Sequence, residues 1–231
     1  MKKLLCILSL SLLCGCSTPP QPTNSPDAGN SQLAETGNAE ITQLPKKAKP
    51  ESTLISDSEL NALNIDDYLF IKDVMYVDLR DPQQLLSEGT IAGFTNIPFY
   101  GLIVDLTDNE NVLFTMTKPR DENGKVLAQL GDVNSFVANY KESESNLNYL
   151  FPKDKQIVFM STAGVEATYM MNLLIQLGYD PANLYNAGCF SNGIGDQVAY
   201  RNIEQARYYT PGHEAYTVSV SYDWGELTPI D

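Results

Sequence analysis

Residues 157–178, IVFMSTAGVEATYMMNLLIQLG, decide the fold. Ile157 to Met160 form an apolar run bounded by small residues, the pattern of a short buried strand. Ser161, Thr162, Ala163, Gly164, Val165 and Glu166 follow as a loop of mostly small side chains. Apolar positions then recur at three and four residues as far as Gly178, as on a helix. A strand, a tight loop and a helix start in succession direct backbone N–H groups at one point, which makes an anion-binding nest. In an enzyme built this way, a nucleophile heads the loop and a cation closes it. Ser161 and Glu166 occupy those two places, so the stretch supports a fold more strongly than a chemistry.

Working outward, the preceding segments supply further strands and helices. Val74 to Leu79 reads as a central buried strand, preceded by a second apolar run at Tyr68 to Ile71, with Lys72 and Asp73 as the turn between them. Asp81-Pro82 opens a short helix over Gln83 to Ser87, since proline suits a first helical turn, and Gly89 ends it. Ile91 to Pro98 leads into another short strand. Asn111 to Thr117 and Lys125 to Ala128 flank the polar turn Lys118 to Gly124, which predicts a β-hairpin inserted at about 99–130. Asp132 is positioned to cap a helix carrying Val133, Phe136, Val137 and Tyr140. Lys153 to Lys155 forms the turn into the organising strand. Asp180-Pro181 turns into a last short strand at Asn183 to Tyr185, ending near Cys189. The alternation of Tyr216, Val218, Val220, Tyr222 and Trp224 with polar residues predicts a half-buried C-terminal strand that extends the sheet edge or pairs with the inserted hairpin. Strands and helices in this order imply an α/β domain with a parallel sheet covered by helices on both faces.

The N-terminus has a different character. Residues 1–16, MKKLLCILSLSLLCGC, combine two lysines, an apolar run and small residues, the layout of a processing signal. Leu13-Cys14-Gly15-Cys16 resembles a bacterial lipobox, which implies lipidation at Cys16 and an extracytoplasmic, membrane-anchored protein in the bacterial envelope. Cys189 is then the one cysteine left without lipid, so no intramolecular disulfide is expected. Losing Lys2 and Lys3 with the signal takes the net charge from −14 to −16, which opposes nucleic-acid binding. Residues 17–54 are rich in Pro, Ser, Thr, Asn and Gln and read as a flexible tether, with the folded domain over 55–231. Within it, Ser56 to Glu59 has the form of a helix cap before Leu60 and Leu63.

Val77-Asp78-Leu79-Arg80-Asp81 followed by Gly89-Thr90-Ile91-Ala92-Gly93-Phe94-Thr95-Asn96-Ile97-Pro98 resembles the rhodanese family, which reads strand-Asp-x-Arg and then Gly-His-Ile-x-Gly-Ala-x-Asn-Ile-Pro. The 157–178 stretch resembles that family's active-site block, strand-Cys-x-x-Gly-x-Arg-Ala followed by a helix, and Leu184 to Gly188 resembles its last strand. The resemblance spans about 57–100 and 150–195. It implies a sulfurtransferase fold with Ser161 at the nucleophilic cysteine, Glu166 at the loop arginine and Thr90 at the histidine. A hydroxyl cannot hold sulfur as a persulfide, and a carboxylate repels a sulfur anion.

The expectation is therefore a degenerate rhodanese-like domain acting as a binding or scaffold module. Its partner, a protein or a small ligand, would meet the loop of Ser161 to Glu166 with Asp78 and Arg80 beside it. Two rivals stand: a sulfurtransferase or thiol-redox enzyme using Cys189, and a purely structural envelope lipoprotein. For Asp78 and Arg80 an ion pair that holds the fold is favoured over ligand orientation. Cys189 as a buried thiol is favoured over Cys189 as a nucleophile, and Met170 and Met171 read as core residues. A serine hydrolase at Ser161 needs a base, and His213 is the one histidine, in a Pro-Gly loop with no nucleophile elbow around Ser161. No cofactor and no metal are expected, and Asp105, Asp108 and Glu110 lack calcium-loop spacing.

Overall fold

The structure, a computed structural model, describes residues 41–105, 111–117, 122–123, 135–213 and 217–230. The signal segment with Cys16, the first part of the tether, the run Lys125 to Ala128, Asp132 and Tyr216 lie outside the described residues. The 157–178 stretch forms a six-residue strand, Gln156–Ser161, and a twelve-residue helix, Val165–Gln176, joined by the small-residue loop. In chain order the strands are β1 (Val74–Asp78), β2 (Thr90–Ile91), β3 (Thr95–Asn96), β4 (Phe114–Thr117), β5 (Ser135–Ala138), β6 (Gln156–Ser161), β7 (Leu184–Cys189) and β8 (Tyr209–Thr210). The α-helices are α1 (Pro82–Glu88), α2 (Ser143–Leu150) and α3 (Val165–Gln176).

β3, β1, β6 and β7 lie side by side in that order, and every pairing is parallel. Tyr76 is level with Val158, and Val158 with Tyr185. Because strand side chains alternate, β6 feeds two cores. Ile157 and Phe159 pack with Met170, Met171, Leu173 and Leu174 of α3 and with Leu147 of α2. Val158 and Met160 pack instead with Leu60, Ile65, Phe190 and Tyr200. The second face is covered by 3-10 turns at Ile65–Tyr68 and Tyr200–Asn202 and by irregular chain. Among the described residues, helices on both faces are therefore not shown. Short stretches lacking helical periodicity supply the second layer, each contributing one or two large apolar side chains.

The sequence reading of α1 holds: Asp81 caps it, its carboxylate accepting from the Gln83 N–H at 2.7 Å, and Gly89 ends it with φ 93°. Gly89 has a physical reason to be glycine, because a Cβ there would lie 2.3 Å from the Thr210 carbonyl oxygen.

Four expectations are corrected. Ser56 to Glu59 starts no α-helix; a 3-10 turn occupies Ile55–Asp57, and Ser58 instead accepts from the Leu60 N–H. Tyr68 to Ile71 is the end of a 3-10 turn rather than a strand, with Phe70 at φ 61° turning the chain toward β1. The inserted hairpin exists, but β4 pairs antiparallel with Ser135–Ala138, so Phe136 and Val137 are strand residues rather than helical ones. Phe136, buried, and Val137, exposed, alternate as a two-residue period demands, and the helix starts only at Ser143. Residues 217–224 of the C-terminal tail form no strand, and the tail meets the rest of the chain further on, where Pro229 bridges Tyr140. Val218 and Val220 are 37% and 48% exposed, while Trp224 is buried in the α3-side core and stacks with Tyr222. The alternation did not correspond to a strand; of its described positions only Trp224 is buried.

The tether is shorter than expected. Leu44, Lys47 and Thr53 are buried against the domain, so the described chain is packed from Leu44 onward. Phe159, fully buried in β6 beside Phe151, is the test of the α3-side core. Phe159→Ala should lower unfolding free energy by about 3–5 kcal/mol in urea titration, the usual cost of an emptied aromatic site.

Candidate functional site

The Ser161 loop leaves the carboxyl end of β6, where open parallel sheets place their ligands. Ser161 is level with Cys189 at the end of β7, and the pairing is irregular just before it: Phe159 faces Asn186, so two residues of β6 span three of β7. Gly188, at φ 92°, absorbs this bulge. The loop and the last strand are then tied together. The Phe190 N–H donates to the Ser161 carbonyl at 2.9 Å, and the Asn192 N–H to the Thr162 carbonyl at 2.9 Å.

Ser161 itself is sealed. It is 0% exposed, and its hydroxyl oxygen accepts the Gly164 N–H at 2.9 Å. One of the donors that a nest would offer an anion is thus satisfied within the loop. Gly164 precedes α3 with φ 79°, in the left-handed region that side chains disfavour. Thr162, Ala163, Val165 and Glu166 are half-buried. Glu166 stands in the first turn of α3, and its Oε2 is buried without a hydrogen-bond partner. Burial, with the Glu166 and Tyr169 charges adding to it, pushes the Tyr100 hydroxyl far above its ordinary value.

Cys189 is 1% exposed. Burial pushes its thiol up, a backbone hydrogen bond at Ile194 pulls it partly back, and the Glu166 carboxylate pushes it up again. A thiol nucleophile needs the opposite: exposure, and a positive neighbour that favours the thiolate. Cys189 therefore has the setting of a buried structural thiol.

Asp78 and Arg80 come together as an ion pair at the carboxyl end of β1. Arg80 Nε lies 3.0 and 3.1 Å from the two Asp78 oxygens, and Nη2 donates to Oδ2 at 2.6 Å. Nη1 donates to Glu88 at 3.2 Å, Nη2 also to the Gly89 carbonyl at 2.8 Å, and the Phe190 ring lies 3.4 Å from the guanidinium carbon. Glu88 in turn accepts from the Ser191 hydroxyl and lies 3.6 Å from Arg201. The guanidinium is fully enclosed and its donors are engaged, so it is a tie between elements rather than a ligand hook.

Sequence reasoning missed two residues that brace β7, Lys47 at its amino end and Asn186 nearer the Ser161 loop. Lys47, 7% exposed, donates to the carbonyls of Pro50, Ser52, Pro181 and Leu184 at 2.8–3.1 Å. Asn186, buried in β7, donates to the Gly164 carbonyl at 2.9 Å and accepts from the Gly188 N–H at 3.0 Å, bracing the loop against the strand. Composition alone cannot mark one lysine of Lys46, Lys47 and Lys49 as buried. A separate recess of about 360 Å³, lined by Asp73, Val74, Gly93, Pro152 and Lys155 among others, lies at the amino ends of β1 and β6. That is the opposite end of the strands from the Ser161 loop.

Comparison with protein-family models, with curated proteins and with solved structures gave no match. Among the described residues no group of His, Cys, Asp and Glu is placed to hold a metal ion, and no helix is long and apolar enough to cross a membrane.

Removing the Arg80 charge strands Asp78 in a buried site. Arg80→Met should therefore destabilise the domain by about 3–5 kcal/mol, and the double change Asp78→Asn with Arg80→Met should recover part of that loss, both read by urea unfolding.

Proposed function

We propose that this chain is a lipid-anchored, extracytoplasmic domain of rhodanese-like form that has given up sulfur transfer and serves as a binding or scaffold module. The observation that carries this reading is the Ser161 hydroxyl, buried and bonded to the Gly164 N–H at the position where the resemblance puts a reactive thiol. Sulfur transfer from thiosulfate runs by attack of a thiolate on the sulfane sulfur, which breaks the sulfur–sulfur bond, expels sulfite and leaves a persulfide; cyanide then takes the outer sulfur as thiocyanate and returns the thiolate. Ser161 cannot form that persulfide. Cys189, the thiol nearest in register, is enclosed and held in its protonated form by burial. Asp78 and Arg80, which could have oriented an anion, neutralise each other.

What remains at this edge is a surface braced at Ser161, Thr162 and Gly164. It is made of the half-buried Thr162, Ala163, Val165 and Glu166 around the buried Gly164, the bulged end of β7 and the segment that crosses them. A surface of that kind suits recognition of a partner, with the lipid on Cys16 supplying the membrane attachment.

Purified full-length protein mixed with thiosulfate and cyanide should form no thiocyanate above the level of a Cys189→Ala variant. Turnover that disappears in Cys189→Ala would overturn the reading in favour of a migrated nucleophile. In cells expressing the protein, radiolabelled palmitate should enter the wild-type chain and be absent from Cys16→Ala, with detergent-phase partitioning lost in parallel. Equal labelling of the two would remove the anchor.

A further inference from the structure

The segment Leu44 to Ile55 lies on the domain as a bound peptide lies on a receptor, and the receptor residues come from distant parts of the chain. Three features hold it. At one end the Lys47 ammonium meets two domain carbonyls, Pro181 at 2.9 Å and Leu184 at 3.0 Å, just where β7 begins. In the middle the domain reads the main chain: the carbonyl of Thr53 accepts from the Thr168 hydroxyl at 3.0 Å and from the Asn186 side-chain amide at 3.3 Å. Beside it the Thr53 hydroxyl donates to Asn172 Oδ1 at 3.0 Å. At the other end Ile55 enters a notch between two glycines. A Cβ on Gly164 or Gly188 would lie 2.9 or 2.8 Å from Ile55 Cδ1, and both glycines have positive φ. Thr53 and Ile55, two residues apart, are read side by side.

The fit is incomplete at one atom. Asn172 is 3% exposed, and its Nδ2 has no hydrogen-bond partner with the strap in place. A buried amide donor left unpaired is costly, and native structures keep few of them. The Thr53 hydroxyl engages one end of the Asn172 amide and leaves the other unanswered. A hydroxyl places its donor and acceptor on one atom, whereas an amide at that position, as in asparagine, carries them on two atoms side by side and can meet both ends of the Asn172 amide.

We propose that the groove formed by β7, the Gly164–Gly188 notch and the Thr168–Asn172 face of α3 is a peptide-binding site, occupied in cis by residues 44–55. Its partner class is a peptide that turns after a lysine, as the strap does between Lys49 and Ser52, with an amide side chain six residues beyond the lysine and a β-branched aliphatic residue two further on. Main-chain hydrogen bonds supply general affinity here, and pockets for particular side chains supply selectivity. The strap acts as a tethered competitor, and a short linker gives it a high effective concentration against any peptide in trans. The proposal rests on the binding-module reading and names its partner class.

The test uses the full-length chain carrying Lys47→Ala and Ile55→Ala, probed with a fluorescent peptide of residues 43–58. The expected result is a folded variant, by near-ultraviolet circular dichroism, that binds the peptide at least about tenfold tighter than wild type does in fluorescence anisotropy. The Gly164 and Gly188 amides should exchange faster in the variant and slow again with peptide bound. A peptide carrying Thr53→Asn should bind at least about fivefold tighter than the unchanged one, which is the readout specific to Asn172. Ile55→Ala alone is the milder variant should the double change reduce folding. A folded variant that takes up no peptide overturns the proposal. So does a variant, double or single, whose lost fold is not recovered by peptide, because the strap is then core. The thiosulfate assay on the same sample separates the two claims: no peptide uptake with no thiocyanate ends the groove proposal alone, whereas thiocyanate formation ends the binding-module reading as well.

Discussion

The Arg80 guanidinium is the constraint on which the carboxyl end of the sheet depends. It gathers the end of β1 through Asp78, the end of α1 through Glu88, the start of β2 through the Gly89 carbonyl and the chain after β7 through the Phe190 ring. A buried charge of this kind is tolerable only when its hydrogen bonds are satisfied by a surrounding built to do so. Asp78 contributes twice, since its Oδ1 also accepts the Arg80 N–H at 3.0 Å and so turns the chain as it leaves the strand. Asn96 locks the same turn from β3, donating to the carbonyls of both Asp78 and Arg80. The geometry of the Ser161 loop follows from this tie, because Phe190, pressed on the guanidinium, donates its N–H to the Ser161 carbonyl.

A second polar tie works from the other side of the loop. Asn186 is buried in β7, and its amide joins Gly164, Thr168 and Thr53 while its oxygen takes the Gly188 N–H. Between Arg80 and Asn186 the loop has little freedom to reshape around a ligand. Enzymes place a reactive group in such a frame so that its geometry is set before substrate arrives. Here the frame holds a hydroxyl facing inward. Rigidity without a reactive atom is what a recognition surface needs, since less ordering is required on binding.

The core explains why the two faces of the sheet look so different in sequence. The α3 face is built from one continuous helix whose residues from Ala167 to Leu174 are all buried, between the sheet on one side and other chain on the other. Gln176 extends that contact by pairing both main-chain groups of Phe136, acting as a strand partner for the outer edge of β5. The opposite face is assembled from Leu44, Leu60, Ile65, Phe190 and Tyr200, which are far apart in the chain and sit in turns.

The sequence by itself determined the elements whose signals are local. Ile157 to Met160 and Val74 to Leu79 had to be buried strands, Asp81-Pro82 had to start a helix, and Gly89 had to end it, because each rests on neighbouring residues alone. It also fixed what chemistry Ser161 cannot do. Tertiary structure alone decided which segments meet: that Ser135–Ala138 pairs with β4, that the tail meets the chain after β5 through Pro229 and Tyr140, and that Lys47, Thr53 and Ile55 belong to the domain. A strand pattern specifies an extended backbone and a buried face, but its hydrogen-bond partner is set by what the rest of the fold leaves uncovered. The same holds for a polar tether. Lys47 is buried because its ammonium joins the carbonyls of its near neighbours Pro50 and Ser52 to those of Pro181 and Leu184, where β7 begins, and the second pair is far away in the chain.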